Sequence, residues 1–135
     1  MAPADVDAIT VDQLPSHRSD ERGAVTPVEF ARFVPFQPVR LFYAYDVPEG
    51  AVRGRHANRT GREYLICQSG RVRLDLADQA KARVITLSAG EGVLIEPGIF
   101  AVDTYLDPGT VLLVLCDRPY DHADYIHTLE DLRTG

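Results

Sequence analysis

Tryptophan is missing from this chain of 135 residues, and methionine, cysteine and histidine are scarce, at one, two and four copies. Two cysteines without a CxxC pair or a histidine-rich cluster argue against a zinc site. Cys67 and Cys116 each follow a hydrophobic run, Tyr64-Leu65-Ile66 and Val111 to Leu115, so they are expected as reduced thiols packed in or beside strands. No apolar run approaches the length needed to span a bilayer. The stretch Met1 to Asp7 lacks the basic region and apolar run of a secretory signal. A cytoplasmic protein with no membrane association is the expectation. Positive charge is also in deficit, with 14 Lys and Arg against 20 Asp and Glu and a net charge of −6. Nucleic-acid binding, which needs a basic face, is therefore not expected. There is no internal repeat and no low-complexity segment.

What remains is a dense series of short apolar runs punctuated by Gly and Pro. Phe36 to Tyr45, Glu63 to Cys67, Arg71 to Leu76, Arg83 to Leu87, Gly92 to Ile95, Phe100 to Tyr105 and Thr110 to Cys116 read as strands. Arg71 to Leu76 alternates strictly, with Val72, Leu74 and Leu76 on one face. Turns fit at Ser69-Gly70, Ala89 to Gly92, Pro97-Gly98 and Asp107 to Gly109. Such spacing predicts an all-β sandwich or barrel. Helical character is confined to Tyr120 to Arg133 and to Pro27 to Phe33, where Thr26-Pro27 resembles an N-cap followed by proline. Residues 1–17 have no useful periodicity and are expected as a flexible arm. Residues 18–135 then form a single domain.

One stretch carries chemistry. Arg53-Gly54-Arg55-His56-Ala57-Asn58, then Glu63 and Gly70, has the spacing of the cupin barrel motif H-x-H-x(3,4)-E-x(6)-G, with Asn58 in place of the second histidine. On an extended strand His56 and Asn58 face the same side. Histidine is the side chain suited to acid–base work near neutral pH, and Glu63 is placed to orient it. Asn58 donates and accepts hydrogen bonds but cannot shuttle protons. Metal-binding cupins use three histidines and a glutamate. Here only His56 and Glu63 are present, and Ile99 to Thr104, after the second motif Gly92 to Gly98, contains no histidine. No metal is expected. Arg53, Arg55, Arg59 and Arg62 lie within ten residues that contain no acid. With Arg40, one or two of them are candidates for holding a phosphate, and the others for solvated surface.

The segments DERG at 20–23, RGRHAN at 53–58, LIC at 65–67, GVLIEP at 92–97, LLVL at 112–115 and YDHADYI at 120–126 together resemble the dTDP-sugar 3,4-ketoisomerases of the WxcM-like/FdtA cupin family. The resemblance covers roughly residues 18 to 132. It implies a small RmlC-like jelly-roll barrel with a short C-terminal helical segment, and a homodimer with exchanged N-terminal strands. It also implies cofactor-independent conversion of a dTDP-4-keto-6-deoxy-hexose to its 3-keto isomer. Within the family motif RGxHAHK, Arg53 and His56 match, Asn58 replaces the second histidine and Arg59 the lysine. Glu63 replaces a glutamine, His127 stands where an arginine is expected, and Phe100 is nearest to the tryptophan expected after the second motif.

The leading expectation is thus a sugar-nucleotide isomerase with His56, Asn58 and Glu63 as catalytic residues. Arg40, Arg53, Arg59, Tyr43 and Phe100 are expected to bind the substrate. Asn58 keeps two other readings open: a diverged cupin isomerase or cyclase for another natural-product intermediate, and a catalytically silent nucleotide-sugar binder.

Overall fold

A computed structural model describes residues 3–135. Alternation of apolar and polar side chains resolves into two five-stranded antiparallel sheets. The first has the order β1 (Val11–Gln13), β9 (Glu91–Ile95), β6 (Glu63–Ser69), β11 (Val111–Cys116) and β4 (Arg40–Ala44). The second has the order β12 (Tyr125–Ile126), β5 (Val52–Asn58), β10 (Phe100–Tyr105), β7 (Arg71–Ala77) and β8 (Ala82–Ser88). Apart from the β7–β8 hairpin, neighbouring strands are non-consecutive, as in a jelly roll, and this is the all-β cupin architecture expected. A separate hairpin pairs β2 (His17–Ser19) with β3 (Gly23–Val25) and is exposed along its whole length.

The period-2 rule fixes the core. Val72, Leu74 and Leu76 are fully buried between the sheets, against Leu65, Val93 and Leu112 of the facing strands. Both outer faces are also partly covered. Tyr64, Ile66 and Leu115 pack under Leu14 and Val34. Ala57, Phe100 and Ile126 pack under α2 (Leu129–Thr134) through Leu132, whose burial contributes about 2 kcal/mol.

Three expectations need correction. The first residues are not a loose arm: Val6 sits fully buried in the core, and β1 pairs with β9 in the register Val11↔Val93. Only Met1 and Ala2 of that segment lie outside the described residues. The helix expected from Pro27 is the single turn α1 (Phe30–Phe33), with Glu29 at its N-cap and no side-chain cap. Thr26 instead shares a hydrogen bond with Ser16, Oγ to Oγ1 2.6 Å. Tyr120 to Arg133 is α-helical only from Leu129. Before that, Asp121 caps a 3-10 turn at His122–Asp124 and β12 joins the second sheet beside β5.

Candidate active site

Between the sheets lies a cavity of about 520 Å³. Its walls pass from apolar core residues, such as Leu65, Ile95 and Leu112, to polar groups on four strands: Arg40 of β4, Arg53, His56 and Asn58 of β5, Glu63 of β6 and Asp103 of β10. Strict alternation along β5 puts Arg53 and His56 on opposite faces, since they are three residues apart. A β-bulge resolves this. His56 pairs with Ala101 and Arg55 with Val102, but Asp103 pairs with Arg53, so Gly54 is the extra residue. Gly54 has φ +67°, a left-handed conformation glycine takes without steric cost. The bulge returns Arg53 to the cavity side, directly across from Asp103.

His56 has 19% of its side chain exposed, and its Nε2 is 3.9 Å from Glu63 Oε2, too long for a hydrogen bond. Its imidazole stacks on Tyr125, with ring centroids 4.4 Å apart and 22° between planes. Tyr125 is placed by the β12–β5 pairing, opposite Asn58. The preceding residue secures that pairing: the Asp124 carboxylate accepts from Thr60 N (3.0 Å), Thr60 Oγ1 (2.6 Å) and Gly61 N (2.9 Å). Within YDHADYI, Asp121 and Asp124 thus shape the chain, Ile126 packs under α2 and Tyr125 faces the cavity. Burial pushes the Tyr125 phenol above its usual pKa, and the neighbouring Arg40 opposes that shift. Asn58 is buried, and its Oδ1 has no hydrogen-bond partner among the described residues.

Two of the residues expected to bind the substrate lie outside the cavity lining. Phe100 points away from the cavity and is buried with Ala57, Ile126 and Leu132 on the outer face of the sheet. Its neighbour Ala101 is the inward residue. Arg59 lies just past the end of β5, exposed and outside the cavity lining, with its backbone N–H donating to Asp124 O at 2.7 Å. Tyr43 reaches only the rim. It alternates with the inward Phe42, is 58% exposed and leans on Tyr45 with centroids 5.6 Å apart. Arg40 is inward, its guanidinium over the rings of Phe42 (4.6 Å) and Tyr120 (5.2 Å).

Two cavity residues were missed by sequence reasoning. Tyr125 lay in a recognised signature, but only the strand pairing shows that it meets His56. Asp103 is the sole acid in the apolar run Phe100 to Tyr105. Its inward position follows from the alternation Ala101, Asp103, Tyr105, a signal present in the sequence. As to metals, no group of three His, Cys, Asp or Glu side chains among the described residues converges closely enough to hold an ion. One imidazole with an amide neighbour is a poor donor set for a transition metal.

A barrel enclosing a partly apolar cavity, with one stacked imidazole and two guanidinium groups on its wall, has the form of a cupin with a pocket suited to a small anionic ligand. The chain belongs to the WxcM-like, C-terminal (FdtA) family, whose model matches residues 7–134. It is 29% identical over 115 residues to the TDP-4-oxo-6-deoxy-alpha-D-glucose-3,4-oxoisomerase of Aneurinibacillus thermoaerophilus, covering 84% of this chain and 83% of that protein. The crystal structure of QdtA, a sugar 3,4-ketoisomerase from Thermoanaerobacterium thermosaccharolyticum in complex with TDP, superposes with a TM-score of 0.85. The two are 27% identical, with 95% of this chain and 93% of QdtA covered. WlaRB, a TDP-quinovose 3,4-ketoisomerase from Campylobacter jejuni, gives a TM-score of 0.86 at 27% identity, covering 96% of this chain and all of that one.

Proposed function

We propose that the protein is a cofactor-independent isomerase of a dTDP-4-keto-6-deoxy-hexose, shifting the keto group from C4 to C3 in deoxysugar biosynthesis. The observation that carries this reading is the cavity placement of His56, held flat against Tyr125 with Arg53 brought to the same side by the Gly54 bulge. Arg40 and Arg53 supply positive charge for the diphosphate. His56 removes the proton at C3, leaving an enediolate whose charge spreads onto the C4 oxygen, and a proton returned to C4 completes the shift. Asn58, with a free carbonyl oxygen, holds a sugar hydroxyl instead of moving a proton.

The working unit is a homodimer built by exchange of N-terminal strands. Its support is the free edge of β4, where Val39, Leu41, Tyr43 and Tyr45 are all more than half exposed, together with the wholly exposed β2–β3 hairpin. Two buried, unbridged cysteines suit a cytoplasmic location. No helix of the described residues is long and apolar enough to cross a membrane.

The test is proton NMR of dTDP-4-keto-6-deoxyglucose in heavy water. Loss of the C3 proton signal and growth of a 3-keto product are expected. His56→Ala should lower turnover by about 10²–10⁴-fold while leaving the melting temperature nearly unchanged. Tight dTDP binding without exchange at C3 would instead establish a silent binder, the reading that Asn58 favours.

A further inference from the structure

The chemistry just described needs more than a base. Moving a carbonyl from C4 to C3 takes a proton from O3 and puts one on O4, in addition to the carbon-to-carbon transfer. The cavity lining holds no second histidine, and Asn58 cannot perform that exchange. We propose that Asp103 is a further catalytic residue, a carboxylic acid that passes a proton between the two vicinal sugar oxygens. This rests on the ketoisomerase reading of the same cavity.

Position is the first support. Asp103 lines the cavity with His56, Asn58 and Glu63, in register with Arg53 across the bulge. Gly54 lets it come close to β5, since a Cβ at position 54 would lie 3.0 Å from Asp103 Oδ2.

Unfilled hydrogen-bonding capacity is the second. Aspartates that shape this fold are fully engaged: the Asp78 carboxylate accepts from the backbone N–H groups of Val6, Ala80 and Lys81, and Asp124 from Thr60 and Gly61. Asp103 Oδ1 is sealed from solvent and has no partner among the described residues. A buried acceptor left open costs about 1–3 kcal/mol, which a substrate hydroxyl would recover.

Protonation state is the third. Burial, and then the nearby Glu63, raises Asp103 well above the ordinary carboxyl range, whereas Asp5, Asp78, Asp107 and Asp117 are all lowered. Facing Asp103 are Arg53 from β5, Glu63 from β6 and Tyr105 two residues along its own strand, with His56 on the same wall. A buried carboxyl kept neutral has one O–H to give and one oxygen to receive.

The steps balance. His56 takes the C3 proton, and the electron pair of the broken C–H bond forms the C3=C4 double bond as the C4 carbonyl becomes an enolate. Asp103 O–H gives its proton to O4 while its other oxygen takes the proton from O3–H. Protonation at C4 by the imidazolium then yields the 3-ketone. Asp103 and His56 both end as they began, with no outside oxidant or reductant.

Asp103→Asn preserves shape and one donor but cannot exchange protons. In heavy water its C3 exchange should stay within about tenfold of the unmodified protein, while 3-keto product falls by about a hundredfold or more. Infrared spectra of unmodified protein labelled at its aspartate carboxyls should show a protonated-acid band at neutral pH, and that measurement does not depend on the variant folding. Product formation within threefold of the unmodified protein would overturn the relay, as would parallel loss of exchange and product in a folded variant that still binds dTDP. Absence of the protonated band would do so too. If the unmodified protein neither exchanges nor converts the sugar, the ketoisomerase reading itself fails and the relay falls with it.

Discussion

Gly54 does the most at the residue scale for its size. Its φ of +67° makes the bulge, the bulge puts Arg53 on the cavity wall, and its missing side chain leaves room for Asp103. Gly54→Ala brings both penalties together: a left-handed alanine costs about 1–2 kcal/mol, and its Cβ pushes on a carboxylate 3.0 Å away. Gly50, at φ +81° with nothing within 4 Å of where a Cβ would stand, carries only the first. Both alanine variants should therefore lose denaturant stability, Gly54→Ala the more of the two, while only Gly54→Ala loses most of its turnover. Equal activity in the two would mean that the bulge does not position the site.

At the scale of elements, the end of β5 separates two arginines. Arg53 lies on the cavity wall, whereas the exposed Arg59 sits beyond the strand end and contributes only its backbone to Asp124. A charge-assisted bond to phosphate contributes about 1.5–3 kcal/mol. Arg53→Ala should thus raise the KM for the nucleotide sugar about tenfold or more, with Arg59→Ala within about twofold. Steady-state kinetics decide it, and a large KM effect at Arg59 would contradict the strand geometry. The same contrast shows what the sequence carried. The central strands β6 to β11 were legible because alternation and Gly–Pro punctuation are local signals, and His56, Asn58 and Glu63 because a motif fixes their spacing. Directions past a bulge were not legible: counting by twos fails at Gly54, and the side a strand residue faces depends on its partner. Phe100 shows the same limit, since either face of β10 is apolar and only α2 reveals that its face is covered.

For the molecule as a whole, one turn joins the two ends of the chain. The Asp78 carboxylate, buried with 3% exposure, accepts at 2.8 Å each from Ala80 N, Val6 N and Lys81 N. Lys81 Nζ reaches Asp5 and Asp7 at 2.8 Å each. From the other end, Arg133 Nε donates to Asp78 O at 3.1 Å, and Leu132 O accepts from Gln79 Nε2 at 2.6 Å. Such an arrangement seats Val6 in the core and α2 over Phe100 without a disulfide. The three backbone N–H groups, Ala80 first, hold Asp78 down to about 2 from the ordinary carboxyl value near 3.9. A depressed folded-state pKa means the stabilising contribution is complete above about pH 4 and is lost as pH falls towards 2. Thermal melting from pH 7 to pH 2 should therefore drop steeply in that last interval. In Asp78→Asn the amide keeps one acceptor oxygen but no charge, so its melting point should be lower at pH 7 and its acid slope shallower. Two curves that stay parallel down to pH 2 would show that the acid sensitivity lies elsewhere and that this turn does not hold the ends together.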